Sequence, residues 1–244
     1  MNKPFRFKQF TVQQDKCAMK IGTDGVLLGA WASLEHNPFS IMDIGAGTGV
    51  IALMLAQRSI SDTIEAIEID ADAHVQCVDN FEESPWADRL FCFHAGLDEL
   101  VDDLLDGQAE IEEQYDLIVS NPPFYSEEVP SGNEARDNAR QNQSLPFDEL
   151  LESVSMLLSN NGIFSTIVPF KEEKTFIQLA KTFGLFPKRI CRVKGTSSSE
   201  IKRSLLEFHF KEENIIINEL VIETGRHQYT QDYINLTKDF YLKM

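Results

Sequence analysis

Ser40-Ile-Met-Asp-Ile-Gly-Ala-Gly-Thr-Gly-Val-Ile-Ala-Leu-Met-Leu-Ala-Gln57 decides how this chain is read. Residues 40–44 form a short apolar run suited to a buried strand, and residues 50–57 combine strong helix formers with apolar spacing. Between them lie Gly45, Ala46, Gly47, Thr48 and Gly49. Strand, glycine turn and helix in that order let backbone N–H groups and a helix N-terminus approach a ligand closely. A dinucleotide fingerprint would place its third glycine at residue 50, where Val50 stands. The glycines fall instead at 45, 47 and 49, preceded by Asp43.

The alternation continues outward from this stretch. Strands are expected near 64–69, 90–95, 116–120 and 162–168, with helices near 71–82, 147–159 and 172–184. Phe186–Lys194 and Arg203–Phe210 are β-rich and flank Gly195-Thr-Ser-Ser-Ser199, which predicts a hairpin. The succession predicts an α/β fold: a doubly wound, mostly parallel, Rossmann-like seven-stranded sheet with an antiparallel edge hairpin. One domain covers residues 1–244, with an N-terminal extension over 1–35 and a polar substrate lid over about 126–143. In the extension, Phe5, Phe7, Phe10 and Val12 alternate with Arg6, Lys8 and Gln9 as a short strand pair. A helix follows, which Thr23 and Asp24 can cap.

Asn121-Pro122-Pro123-Phe124 follows the apolar run 116–120. The lone pair of an exocyclic amine or amide is delocalised, so that nitrogen is a poor nucleophile. The Asn121 side-chain carbonyl and the Pro122 backbone carbonyl can each accept a hydrogen bond from one NH2 group. Together they hold it and favour the positive charge that grows as an alkyl group arrives. Pro123 stiffens the loop, and Phe124 offers a face on which a base or amide can stack. Phe170, after the fifth strand, is a candidate for the opposite wall. Glu68 ends the second strand about 20 residues beyond the glycines, where a carboxylate can accept both hydroxyls of a ribose. After the third strand, Asp98 either contacts a nucleobase or belongs to the acidic run that follows it. His94 reads as a packed residue.

The chain has 22 Lys and Arg against 39 Asp and Glu, a formal net charge of −17. Taken as a sum this disfavours nucleic acid, but binding depends on the local patch. Residues 98–116 contain no Lys or Arg, whereas Lys188, Arg189, Arg192, Lys194, Lys202 and Arg203 gather within a short interval. These six, with Arg136 and Arg140 in the lid, are the candidate phosphate ligands. The four cysteines are far apart, so neither disulfides nor structural zinc are expected. A cytoplasmic protein is expected, without membrane contact or metal.

The loop Asp43–Gly49 resembles the nucleoside-binding loop of class I S-adenosylmethionine (SAM) methyltransferases. That resemblance implies SAM as cofactor, with Asp43 attracting its ammonium group, Gly45, Ala46, Gly47 and Gly49 lining it, and Glu68 holding its ribose. The usual acid after the third strand is Gly96 here, and Asp98 stands two residues on. Phe7-Lys-Gln-Phe10, Cys17-Ala-Met-Lys20, Gly22-Thr-Asp-Gly25, Leu28-Gly-Ala-Trp31, the glycine loop, Asn121 to Phe124 and Leu236-Thr-Lys-Asp-Phe-Tyr-Leu242 together resemble the bacterial tRNA methyltransferases acting at N6 of adenine 37 in a valine tRNA. The likeness spans nearly the whole chain. It implies an enzyme of tRNA modification, with catalytic residues Asn121, Pro122, Pro123 and Phe124, and with Lys20 and Thr23 at the cofactor entrance. Asn-Pro-Pro-Phe also fits guanine-N2 methylation of ribosomal RNA, and Asn-Pro-Pro fits methylation of a protein glutamine. A non-catalytic RNA-binding module of the same fold is a further alternative.

Overall fold

Phe5–Arg6 (β1) and Thr11–Val12 (β2) pair antiparallel at the start of the chain. The computed structural model describes residues 3–105, 114–123 and 145–244. Thr23–Trp31 (α1) leads to Ser40–Ile44 (β3), Val50–Arg58 (α2), Thr63–Glu68 (β4), Ala71–Glu82 (α3), Leu90–His94 (β5), Leu97–Leu105 (α4) and Tyr115–Ser120 (β6). Phe147–Leu157 (α5), Leu158–Pro169 (β7), a 3-10 turn at Phe170–Glu172, Glu173–Thr182 (α6), Phe186–Thr196 (β8) and Ile201–His209 (β9) follow. The chain closes with Ile216–Gly225 (β10), Gln228–Tyr229 (β11) and Gln231–Thr237 (α7).

Among the described residues the main sheet has nine strands, in the order β11-β10-β8-β9-β7-β6-β3-β4-β5. Strands β3 to β7 are mutually parallel, while β9 runs antiparallel to both β7 and β8. The parallel, mostly parallel-wound sheet and its antiparallel hairpin agree with the sequence. The count of seven does not, because β10 pairs parallel with β8 and β11 pairs with β10, extending the sheet past the hairpin. Strand β7 also begins earlier than expected. Tyr115 faces Leu158 but Leu117 faces Ile163, so the chain bulges through residues 159–162 instead of leaving the sheet.

The central strands are apolar on both faces, as strands covered by helices on each side must be. Ile41, Leu117 and Val119 face one buried cluster with α1 and α2, while Met42, Ile118 and Phe164 face another with α5 and α6. The N-terminal aromatics belong to the first cluster. Phe7 and Phe10 are buried and stacked on each other at 4.6 Å, and Phe7 bridges to Tyr241. Alternation of aromatic and basic residues there reflects a strand pair with one face in the core.

The basic interval on β8 and β9 is divided by the same period of two. Arg189 points to α1: it donates to both carboxylate oxygens of Glu207, at 2.7 and 2.8 Å, and to the Trp31 carbonyl at 2.7 Å. Arg192 grips Glu173, Lys194 pairs with Glu219 at 2.8 Å, and Arg203 pairs with Asp24 at 2.8 Å. Lys188 lies toward the opposite edge from Asn121, among Asn160, Asn161, His209 and Lys211. The six cations therefore do not form one patch. Lys188 and Lys202 alone of the six carry no ion pair among the described residues.

Glu207 is 1% exposed and depends on Arg189 for its counter-charge. Removing one partner of such a pair strands a buried charge, so Arg189→Ala is expected to cost about 3 kcal/mol. Urea unfolding measures it; an unchanged midpoint would show that the pair does not hold α1 to the sheet.

Candidate active site

Strands β3, β4, β5 and β6 end along one edge, and the chain leaves each by a turn. That edge is where open α/β sheets bind ligands. Gly45, Gly47 and Gly49 have φ of +74°, +56° and +76°, in the region that favours glycine. The loop is fixed from β4: Gly45 N and Ala46 N both donate to the Ile67 carbonyl at 3.0 Å. Gly47 N donates to Glu68 Oε2 at 2.8 Å, and Asp70 N donates to Glu68 Oε1 at 2.8 Å. Each Glu68 oxygen thus accepts one N–H and keeps acceptor capacity for a hydroxyl.

A Cβ at Gly45 or Gly47 would meet nothing within 4 Å, whereas at Gly49 it would lie 2.5 Å from Phe81 and 2.8 Å from the Cys77 sulfur. The first two glycines leave open space before the loop, and the third permits packing behind it.

Asp43, on β3 beneath the loop, is fully buried. Its Oδ2 accepts from Ala52 N at 3.2 Å, and its Oδ1 has no partner among the described residues. Burial pushes this carboxyl up to about 7; the Ala52 N–H opposes the rise and Glu68 adds to it. An orphaned buried acid, an open glycine cradle and a carboxylate with spare lone pairs fit a nucleoside carrying a cationic group.

Helix α1 lies beside α2 in the same direction, since a Cβ on Gly25 would touch Val50 at 3.4 Å and one on Gly29 would meet Met54. The start of α1, with Thr23 and the preceding Lys20, is therefore placed beside the start of α2. The capping expectation fails: Thr23 is the first helical residue, and Gly22 takes the cap position with no side-chain cap bond. Asp24 is drawn instead to Arg203.

At the end of β5, Gly96 N donates to Glu99 Oε2 at 2.9 Å. Asp98 Oδ1 lies 2.6 Å from the point where a Gly96 Cβ would be. The Asp98 carboxylate therefore occupies the space of the side chain that Gly96 lacks. Ile69, 57% exposed, flanks the same point. Ile69 was not legible beforehand, because it reads as one more apolar residue of a strand. His94 contacts the Ile69 carbonyl at 3.1 Å and stacks on His74, but it is exposed, so it is a surface residue and not the packed one expected.

Ser120 ends β6 opposite Ile44, and its hydroxyl donates to the Ile44 carbonyl at 2.9 Å. Asn121 and Gly45 are consequently the next residues on two adjacent strands. Asn121 is half-buried, Pro122 buried and Pro123 exposed. Phe124, Arg136, Arg140 and the expected lid lie outside the described residues.

The fold and this edge define a methyltransferase of class I. Residues 25–145 match the family described as Methyltransferase small domain. An Agrobacterium tumefaciens structure described as a predicted O-methyltransferase superposes with a TM-score of 0.68 at 17% identity, covering 89% of this chain and 96% of that one. More specific are curated relatives named tRNA1(Val) (adenine(37)-N6)-methyltransferase. The Flavobacterium johnsoniae protein is 62% identical over 98% of this chain and all of its own length. That of Bacteroides fragilis is 43% identical, with both chains covered in full. The chain belongs to this tRNA1(Val) (adenine(37)-N6)-methyltransferase family.

The two classes of glycine separate experimentally. Gly47→Ala is expected to keep the fold, at a strain of about 1–2 kcal/mol, while losing cofactor affinity. Gly49→Ala adds a clash with Phe81 and Cys77 and should lose stability first. Thermal melting with calorimetry checks both; equal melting losses would contradict the division.

Proposed function

We propose that this protein transfers a methyl group from SAM to N6 of adenine 37, beside the anticodon of a valine tRNA. The names of its full-length relatives support the substrate. The observation that carries the chemistry is the placement of Asn121 and Pro122 at the end of β6, directly beside the glycine loop. SAM, when bound, supplies a methyl group already activated by its sulfonium, so no further electrophile is required.

In this reading Glu68 holds the ribose, Asp43 attracts the ammonium, the loop 45–49 lines the methionine part, and Lys20 and Thr23 flank the entrance. Asp98, in the space above Gly96, takes the adenine end of the cofactor. The Asn121 side-chain carbonyl and the Pro122 carbonyl accept the two N6 protons of a base swung out of its stack. As the nitrogen gains positive charge its protons become more acidic. The same two oxygens hold that charge until one proton leaves to water. Pro123 stiffens the loop, and Phe124 is proposed as the face on which the base stacks. Lys202 at the hairpin, with Arg136 and Arg140, is proposed to neutralise phosphates, which makes binding salt-dependent. Among the described residues no helix is long and apolar enough to cross a membrane, and all four cysteines are free. The free thiols support a cytoplasmic setting.

Purified protein, labelled SAM and an unmodified valine tRNA transcript test the assignment. Wild type should transfer label to adenine N6, and Asn121→Ala should lose transfer while binding SAM with near-normal affinity. Full activity of the variant would remove the mechanism, and label on a protein glutamine or guanine would redirect the substrate.

Asp43 adds a pH signature. Its folded pKa near 7 lies above the unfolded value of about 4. The folded chain thus holds the extra proton between these limits, and this group's contribution to stability falls as pH rises from about 4 to about 7. An ammonium beside it favours the ionised form, so SAM binding should release a proton and tighten as pH rises toward 7. Calorimetry in buffers of different ionisation enthalpy reads the release. Equal release in Asp43→Asn would contradict the role.

A further inference from the structure

Strand β7 ends at Pro169, and the chain turns at once through Phe170–Glu172 into α6. Ser120 on β6 faces Thr166 on β7, so Pro169 lies three residues beyond the level of Ser120, about 10 Å at the usual rise per residue. Phe170 therefore directly follows the strand next to the one that delivers Asn121, at the same edge of the sheet. The residue is 36% exposed.

The Phe170 ring is held from behind. The Arg192 guanidinium lies 5.5 Å from its centroid, within cation–π range. Arg192 is itself fixed: Nε donates to both oxygens of Glu173, at 3.1 and 3.2 Å, and Nη2 donates to Oε1 at 2.7 Å. Glu173 is buried, opens α6 directly after the turn, and accepts from the Ser204 hydroxyl at 2.5 Å. Its hydrogen bonds raise the Arg192 pKa, so the cation is permanent. A guanidinium engaged this way is poorly placed to serve as a mobile phosphate clamp. An exposed aromatic face backed by a fixed cation suits instead the stacking of an unpaired nucleobase.

We infer that Phe170 is a stacking platform for the unpaired base next to the methylated nucleotide, with Arg192 as its positioning residue. This rests on the RNA reading above. Pro169 lies two residues beyond the level of Asn121, about 7 Å along the sheet, and one strand over, about 5 Å. A base whose amine reaches Asn121 therefore leaves Phe170 to its neighbour, and Phe170 does not wall the target base.

The test uses a valine-tRNA anticodon stem-loop carrying 2-aminopurine beside the target adenine. Binding to the wild type should quench the probe. Phe170→Leu should lose the quench and raise KM for RNA about ten-fold, the scale of one lost base–aromatic stack, with kcat and SAM affinity unchanged; Phe170→Trp should restore both. Arg192→Gln should weaken the quench yet leave the salt dependence of RNA binding unchanged, whereas a phosphate ligand would lower that slope by about 1. Wild-type quench and KM in Phe170→Leu, or a reduced salt slope in Arg192→Gln, would overturn the inference while leaving the methyltransferase reading intact. Absence of RNA methylation by the wild type would remove that reading, and this inference with it.

Discussion

The site depends on the end of β4 holding the glycine loop. Three successive loop amides are bound by two adjacent residues, Ile67 through its carbonyl and Glu68 through its carboxylate. Left-handed glycines have no conformation of their own to defend, so without these acceptors the loop would sample many. Once fixed, it sets the position of α2, and α2 sets that of α1 through the close approaches at Gly25 and Gly29. Glu68 is therefore structural, and in the proposed function it also holds the ribose. A substitution there will act on loop geometry before it acts on any ribose.

Asn121 is registered to that loop by hydrogen bonds of the sheet itself. β6 pairs with β3 up to Ser120 and Ile44, and the Ser120 hydroxyl closes the last rung. Placing the proposed acceptor-binding side chain by strand pairing leaves it little freedom, since the strands are buried on both faces. The cofactor half and the acceptor half of the site are thus two consequences of one parallel pairing.

Much of this was legible in the sequence because local rules decide it. The strand, glycine turn and helix of residues 40–57 and the strand before Asn121 follow from periodicity and turn chemistry. What was not legible depends on residues far apart in the chain. Nothing near Arg189 announces that Glu207 and the Trp31 carbonyl will claim it, nor does Arg203 announce Asp24. A basic interval on a hairpin consequently looked like one patch, when strand alternation sends its members to different faces. Strand β10 was missed although Ile216, Ile217, Leu220, Val221 and Ile222 are strand formers, because its parallel partner β8 lies beyond β9 in the chain and no hairpin signal joins the two. The space above Gly96 was also invisible, since it exists only after α4 folds Asp98 back over it.

The decisive measurement is nucleoside mass spectrometry of tRNA from cells with and without the gene. N6-methyladenosine should disappear from the valine tRNA when the gene is deleted and return with the wild-type gene alone, not with an Asn121 variant. An unchanged level of N6-methyladenosine in the deletion strain would contradict the proposed function.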